Sequence, residues 1–270
     1  MLQEALSDLP LGEVRYYEQI GSTNTAALQW ANSGAPDLSL VVADEQTAGR
    51  GRLDRVWVTP PGAALAFSLL MQLQGQSTPP APLPEEGMPF ITALGAVAVS
   101  EALRQEFGLV AEIKWPNDVL LTRKKISGVL AETQWQGEKP ISMVLGIGIN
   151  VATTSIPQDI DLLYPATSVE SVLGRPVDRW HLLHAVIEKL LSWRSQLAST
   201  EFLQTWENQL AFMGEWVRVS SHDAASTSFQ EGLVLGLNPL GALKLRTRSG
   251  HIAAFQSGEL HLRPVDNTPE

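Results

Sequence analysis

Residues 110–151 read VAEIKWPNDVLLTRKKISGVLAETQWQGEKPISMVLGIGINV. Apolar and β-branched side chains mark three extended runs here, near 110–115, 126–135 and 141–151, and the turn between the first two contains Arg123-Lys124-Lys125. No helical pattern separates them. Strands and helices in the flanking sequence also mix without strict βαβ alternation. This order predicts an α+β architecture with a mixed or mostly antiparallel central sheet flanked by helices, not a doubly wound parallel one.

Upstream, Ser22 to Asn32 reads as a helix, with Ser22 or Thr23 as its cap, Ala26, Ala27, Trp30 and Ala31 on one face, and Gly34 as a stop. Leu40-Val41-Val42-Ala43 is a short strand, 45–62 a polar glycine-rich loop, and Ala63 to Leu73 a buried strand. A proline-rich connector at 74–88 precedes a helix from Pro89 to Phe107, ended by Gly108. Downstream, 168–173, 179–198 and 200–211 read as helices, with Asp178 capping the second. Five short β runs follow Gly214, at 215–220, 229–237, 241–247, 251–255 and 259–263, and predict a small closed barrel. The expected division is therefore a large unit over 1–213 and a small one over 214–270.

Composition excludes several kinds of chemistry. The 270 residues contain no cysteine, so thiol nucleophiles, disulfides and cysteine-based zinc sites are ruled out. All five histidines lie at or beyond position 181. His181 and His184, one helical turn apart, sit among Trp180, Leu183, Ile187, Leu190 and Leu191 at core-helix spacing, which favours a helix face over a metal pair. The N-terminus has an acid where a signal peptide is basic, and no apolar run approaches ~18 residues, so a cytoplasmic protein without membrane contact is expected. A net charge of −10 argues against a nucleic-acid surface.

Against that acidic background, Gly49-Arg50-Gly51-Arg52-Leu53-Asp54-Arg55 places three of the chain's 13 arginines within six residues. Glycine allows close backbone approach to a ligand, and guanidinium forks bind phosphate oxygens in pairs. An anion-binding loop and a solvated basic turn both fit, and the Walker pattern does not. In Lys114-Trp115-Pro116-Asn117-Asp118 a strand end and a tight turn hold a lysine as a fixed point charge, or form an ordinary β-turn. In Gly146-Ile147-Gly148-Ile149-Asn150, two strand glycines suit close approach of a ligand or of another backbone. Ser22-Thr23-Asn24 suits a helix cap or a polar ligand head-group equally well.

Taken together and in order, Ser22-Thr23-Asn24, Gln46 with Gly49-Arg50-Gly51-Arg52, Lys114-Trp115-Pro116-Asn117-Asp118, Lys125-Ile126-Ser127-Gly128 and Gly146-Ile147-Gly148-Ile149-Asn150 resemble the biotin–protein ligases. The resemblance runs from about residue 15 to the C-terminus. It implies formation of biotinyl-5′-AMP from biotin and ATP, with Mg²⁺ accompanying the ATP. Biotin is then transferred to a lysine of a biotin carboxyl carrier protein. It implies biotin contacts at Ser22, Thr23, Asn24, Gln46, Arg50, Gly51, Arg52, Lys114 and Gly128, and nucleotide contacts at Arg52, Arg55, Lys114 and Asn150. Arg52 and Lys114 would be the catalytic pair, with no protein-held metal. The tail would be the family's SH3-like barrel. The carrier would dock by extending a sheet edge, and dimerisation through the sheet occurs in the family. Leu53-Asp54 departs from the Arg-Gly some members carry, which bears on loop closure. The 21 residues before Ser22 are too few for the DNA-binding domain of other members, so no DNA partner is expected. The related lipoate and octanoyl transferases carry an Arg-Arg-x-x-Gly-Gly-Gly stretch that this chain lacks.

Overall fold

The computed structural model describes residues 2–53, 55–73, 90–157, 162, 164–223, 226–256 and 260–264. Asp54, the connector at 74–88 with Pro89, and Gly258-Glu259 lie outside them. The chain runs through α1 (Leu2–Ala5), β1 (Val14–Ile20), α2 (Thr23–Asn32), β2 (Leu40–Gln46) and β3 (Ala64–Gln72). After α3 (Ile91–Phe107) come four successive strands, β4 (Glu112–Lys114), β5 (Asp118–Leu121), β6 (Lys124–Gln136) and β7 (Lys139–Asn150). Helices α4 (Val169–Leu173), α5 (Arg179–Arg194) and α6 (Thr200–Asn208) follow. The last strands are β8 (Trp216–Asp223), β9 (Ser226–Leu237), β10 (Leu243–Arg246), β11 (Ile252–Phe255) and β12 (Leu260–Pro264).

Seven strands form one sheet in the order β1-β2-β3-β7-β6-β5-β4. Its β1–β2 pair is parallel and its other pairs are antiparallel, which is the mixed sheet expected. Two strands escape the sequence reading. β1 shows no buried residue, as suits an edge strand with one partner, and β5 is only four residues long, directly after the Trp115–Asp118 turn.

The side-chain alternation of the strands divides the sheet into two faces. Leu65, Phe67, Leu69 and Met71 of β3, Val129 of β6, and Leu145, Ile147 and Ile149 of β7 join the main core with α3 and α5. Helix α3 approaches closely because residue 95 is glycine; a Cβ there would lie 2.7 Å from Val129 Cγ1. Opposite, Ala27 and Trp30 of α2 pack on Val41, Leu70 and Val144. Ser22 caps α2, its hydroxyl accepting from the Thr25 N–H, and Asp178 caps α5 at the Trp180 and His181 amides. His181 lies 2.7 Å from Glu106 and His184 3.1 Å from Asp8, so each serves α5 packing.

The C-terminal strands form a second, antiparallel sheet in the order β11-β10-β9-β8-β12, as the SH3-like reading requires. It is tied to the large sheet near the Lys114–Asp118 turn. The Trp115 indole N–H donates to the Gly241 carbonyl at 3.1 Å, and Arg123 pairs with Glu112 at 3.3 Å and Glu215 at 2.5 Å.

Candidate active site

The cleft lies on the α2 face of the sheet, where β6 and β7 carry glycines. Cross-strand partners share a face, so register decides what meets there. One row runs Ser68–Gly146–Leu130 across β3, β7 and β6. The next runs Ala66–Gly148–Gly128–Asp118–Lys114 across β3, β7, β6, β5 and β4. The first row supports a polar pocket and the second ends in charge.

Asn24 lies over the first row. Ser68, fully buried, places its hydroxyl 2.6 Å from Asn24 Oδ1 and 2.8 Å from Thr23 Oγ1. The Asn24 amide donates to Glu132 Oε2 at 2.8 Å and to the Leu130 carbonyl at 3.3 Å. Gln46 Oε1 accepts from the Thr23 N–H and hydroxyl at 2.9 and 3.0 Å. Buried polar groups so tightly paired keep one orientation. Gly146 makes the room, since a Cβ there would lie 2.0 Å from Asn24 Oδ1. At Gly148 a Cβ would meet the Trp57 indole at 2.3 Å. Among the described residues the buried Trp57 Nε1–H has no acceptor.

The charged end gathers around Asp118, which is 7% exposed. Lys125 Nζ lies 2.6 Å from its Oδ1 and Lys114 Nζ 3.6 Å from its Oδ2. Burial pushes the Asp118 carboxyl up. The ammonium groups of Lys125 and Lys114 outweigh that and hold it below the usual carboxylate range. Lys114 also sits 4.1 Å over the Tyr164 ring, and Lys125 5.6 Å from the Trp57 ring. Arg52 donates to Asn117 Oδ1 at 3.1 Å, and burial lowers its guanidinium pKa while Asp118 opposes the shift. It stays charged.

The loop carrying Arg52 doubles back on itself. Gly51 N donates to Arg55 O at 2.6 Å and Trp57 N to Gly49 O at 2.9 Å, while Leu53 takes a left-handed φ of 55°. Arg50 crosses to Glu132 at 2.9 Å.

The cleft is open to solvent and is lined by Ser22, Thr23, Asn24, Gln46, Arg50, Gly51, Arg52, Arg55, Lys114 and Gly128 among others. Of the expected site residues, Asn150 alone is outside this lining. It ends β7 two residues beyond Gly148, its side-chain amide donating to the Thr167 carbonyl at 3.2 Å. Taken singly, Ser68, Trp57 and Glu132 carry no signal of a site in the sequence pattern, and Asp118 and Lys125 gain a role only in the fold. Glu132 was within reach of the pattern, because it follows Gly128 and Leu130 at the two-residue strand spacing.

The cleft has an uncharged hydrogen-bonding pocket at one end and clustered cations at the other, the arrangement of a site for a ligand with a polar head and an anionic group. The chain belongs to the biotin/lipoate A/B protein ligase family, whose model matches residues 16–150. Within that family its similarity is to the biotin ligases. It is 34% identical to the biotin–[acetyl-CoA-carboxylase] ligase of Paracoccus denitrificans over 85% of this chain and 92% of that one. It is also 34% identical to the bifunctional ligase/repressor BirA of Bacillus spizizenii, over 92% of this chain and 73% of that relative. The solved structure of the Aquifex aeolicus biotin protein ligase in complex with biotin and ATP superposes with a TM-score of 0.77 at 28% identity, covering 94% of this chain and 99% of that one.

Proposed function

We infer that this protein is an ATP-dependent biotin–protein ligase. It forms biotinyl-5′-AMP and passes biotin to a lysine of a biotin carboxyl carrier protein of a carboxylase. The observation that carries this reading is the two-ended cleft. The Thr23–Gln46–Asn24–Ser68 network suits the uncharged, hydrogen-bonding ring system of biotin, and the cations around Asp118 suit a carboxylate and a triphosphate.

In the first step a biotin carboxylate oxygen attacks the α-phosphorus, and the bond to pyrophosphate breaks. Both reactants are anions. Arg52, Arg55, Lys114 and Lys125 offset the repulsion and stabilise charge developing on the phosphate. Asp118 holds the two ammonium groups in place. Mg²⁺ would arrive on the triphosphate. Asp118 and Glu132 are already paired with cations, and among the described residues no group of three or more histidines and carboxylates gathers. In the second step the carrier amine attacks the acyl carbon and AMP leaves, so no enzyme nucleophile is required.

We propose Ser22, Thr23, Asn24, Gln46, Arg50, Gly51 and Gly128 as biotin contacts, Arg55 and Asn150 as nucleotide contacts, and Arg52 and Lys114 as serving both. We also propose a division into a catalytic unit over 1–213 and an SH3-like unit over 214–270, carrier docking by strand addition at a sheet edge, and a cytoplasmic location. No helix among the described residues is long and apolar enough to cross a membrane. The test is transfer: with biotin and ATP, a purified carrier domain should gain the mass of one biotinyl group at a single lysine. Exchange of pyrophosphate without transfer would instead identify a biotin sensor that has lost turnover.

A further inference from the structure

Glu132 does not line the cleft, yet two site elements meet on it. Its Oε2 accepts from the Asn24 amide at 2.8 Å and from Arg50 Nη2 at 2.9 Å. Asn24 is held from its other end by Ser68 at 2.6 Å, so the chain of bonds runs Ser68–Asn24–Glu132–Arg50 from the buried floor of the sheet to the arginine loop. Arg50 adds a bond to the Thr25 hydroxyl at 3.3 Å. The carboxylate is bonded to the side chain of Asn24, in the first turn of α2, where the helix dipole favours a negative charge. The Glu132 side chain is 25% exposed and that of Arg50 46%. The pair alone is therefore a weak, screened contact. Its effect comes from sharing one oxygen between the pocket and the loop.

We propose that Glu132 is a positioning residue that latches the Gly49–Trp57 loop to the head-group pocket through Arg50, so that orientation of Asn24 and ordering of the loop are set by one carboxylate. The catalytic consequence rests on the ligase reading; the latch itself does not. Glu132→Gln keeps an acceptor for Asn24 and removes the charge facing Arg50, whereas Glu132→Ala removes both.

Hydrogen–deuterium exchange of the ligand-free protein tests the latch directly. Amides 49–57 should exchange about fivefold faster in Glu132→Gln than in the wild type, a magnitude set by the ~1 kcal/mol upper end for an exposed pair. Exchange in α3 should stay unchanged. Arg50→Gln should give the same acceleration, and the double variant no more than either single one. Unchanged exchange at 49–57, or additive effects in the double variant, would overturn the proposal. In turnover, Glu132→Gln should raise KM for biotin and speed adenylate release by a similar factor. Glu132→Asp should partly restore both. A kcat loss with unchanged biotin KM and release would overturn the catalytic part. A wild type inert toward biotin, with loop exchange behaving as stated, would refute the ligase reading and leave the latch standing.

Discussion

Asp118 keeps a negative charge in a buried position because two ammonium groups meet it there, Lys125 at 2.6 Å and Lys114 at 3.6 Å. Asp118→Asn leaves two cations facing each other without their counter-charge and should cost about 3 kcal/mol at neutral pH, read from urea unfolding. The pH dependence follows from the sign of the shift. The folded carboxyl titrates below its usual range, so its contribution is fully present above the unfolded pKa of about 3.9 and is lost as pH falls through the lower folded value. The gap between wild type and variant should therefore hold from pH 7 down to about pH 4 and shrink below it. Arg52 plays a different part. It lies against Asn117 at 3.1 Å, at the charged end of the cleft. Arg52→Ala should slow adenylate formation about 100-fold, the scale seen when a donor to a developing oxyanion is removed, with far-UV circular dichroism unchanged.

Among the elements, β7 shows how one strand serves two masters: Leu145, Ile147 and Ile149 feed the core under α3, and Gly146 and Gly148 open the other face for Asn24 and Trp57. Two alanine substitutions separate the roles. Gly146→Ala puts a Cβ 2.0 Å from Asn24 Oδ1 and should weaken biotin binding about tenfold by displacing that side chain, as measured by calorimetry. Gly95→Ala puts one 2.7 Å from Val129 Cγ1 under α3 and should lower stability by about 1–3 kcal/mol while leaving kcat per folded molecule intact. The legibility of these elements in the sequence has physical causes. β3, β6, β7 and α3 are long, with strong apolar patterning, and read out to within a few residues. β1 buries too little to leave a pattern, and β5 is hidden behind a turn. The glycines of β7 and the arginine loop announced a site, but Ser68 did not. Inside ALAFSLLMQ a serine looks like a core residue, and only the register across to Gly146 sets it beneath Asn24. Asp118 and Lys125 likewise gain their roles from the pairing of β5 with β6, which no local spacing encodes.

On the scale of the whole molecule, a net charge of −10 and a concentrated cation cluster are compatible because the sheet register and one loop bring Arg52, Arg55, Lys114 and Lys125 to one end of one cleft. The surface stays acidic while the site focuses positive potential where a carboxylate and a triphosphate must meet. The C-terminal sheet is part of that placement, since the Gly241 carbonyl holds the indole next to Lys114. Whether this cleft activates biotin with ATP is read from biotin-dependent exchange of labelled pyrophosphate into ATP, with lipoate and octanoate as parallel substrates. Exchange should be rapid with biotin and slight with either alternative acid. No exchange with biotin, or faster exchange with lipoate, would contradict the biotin-ligase reading.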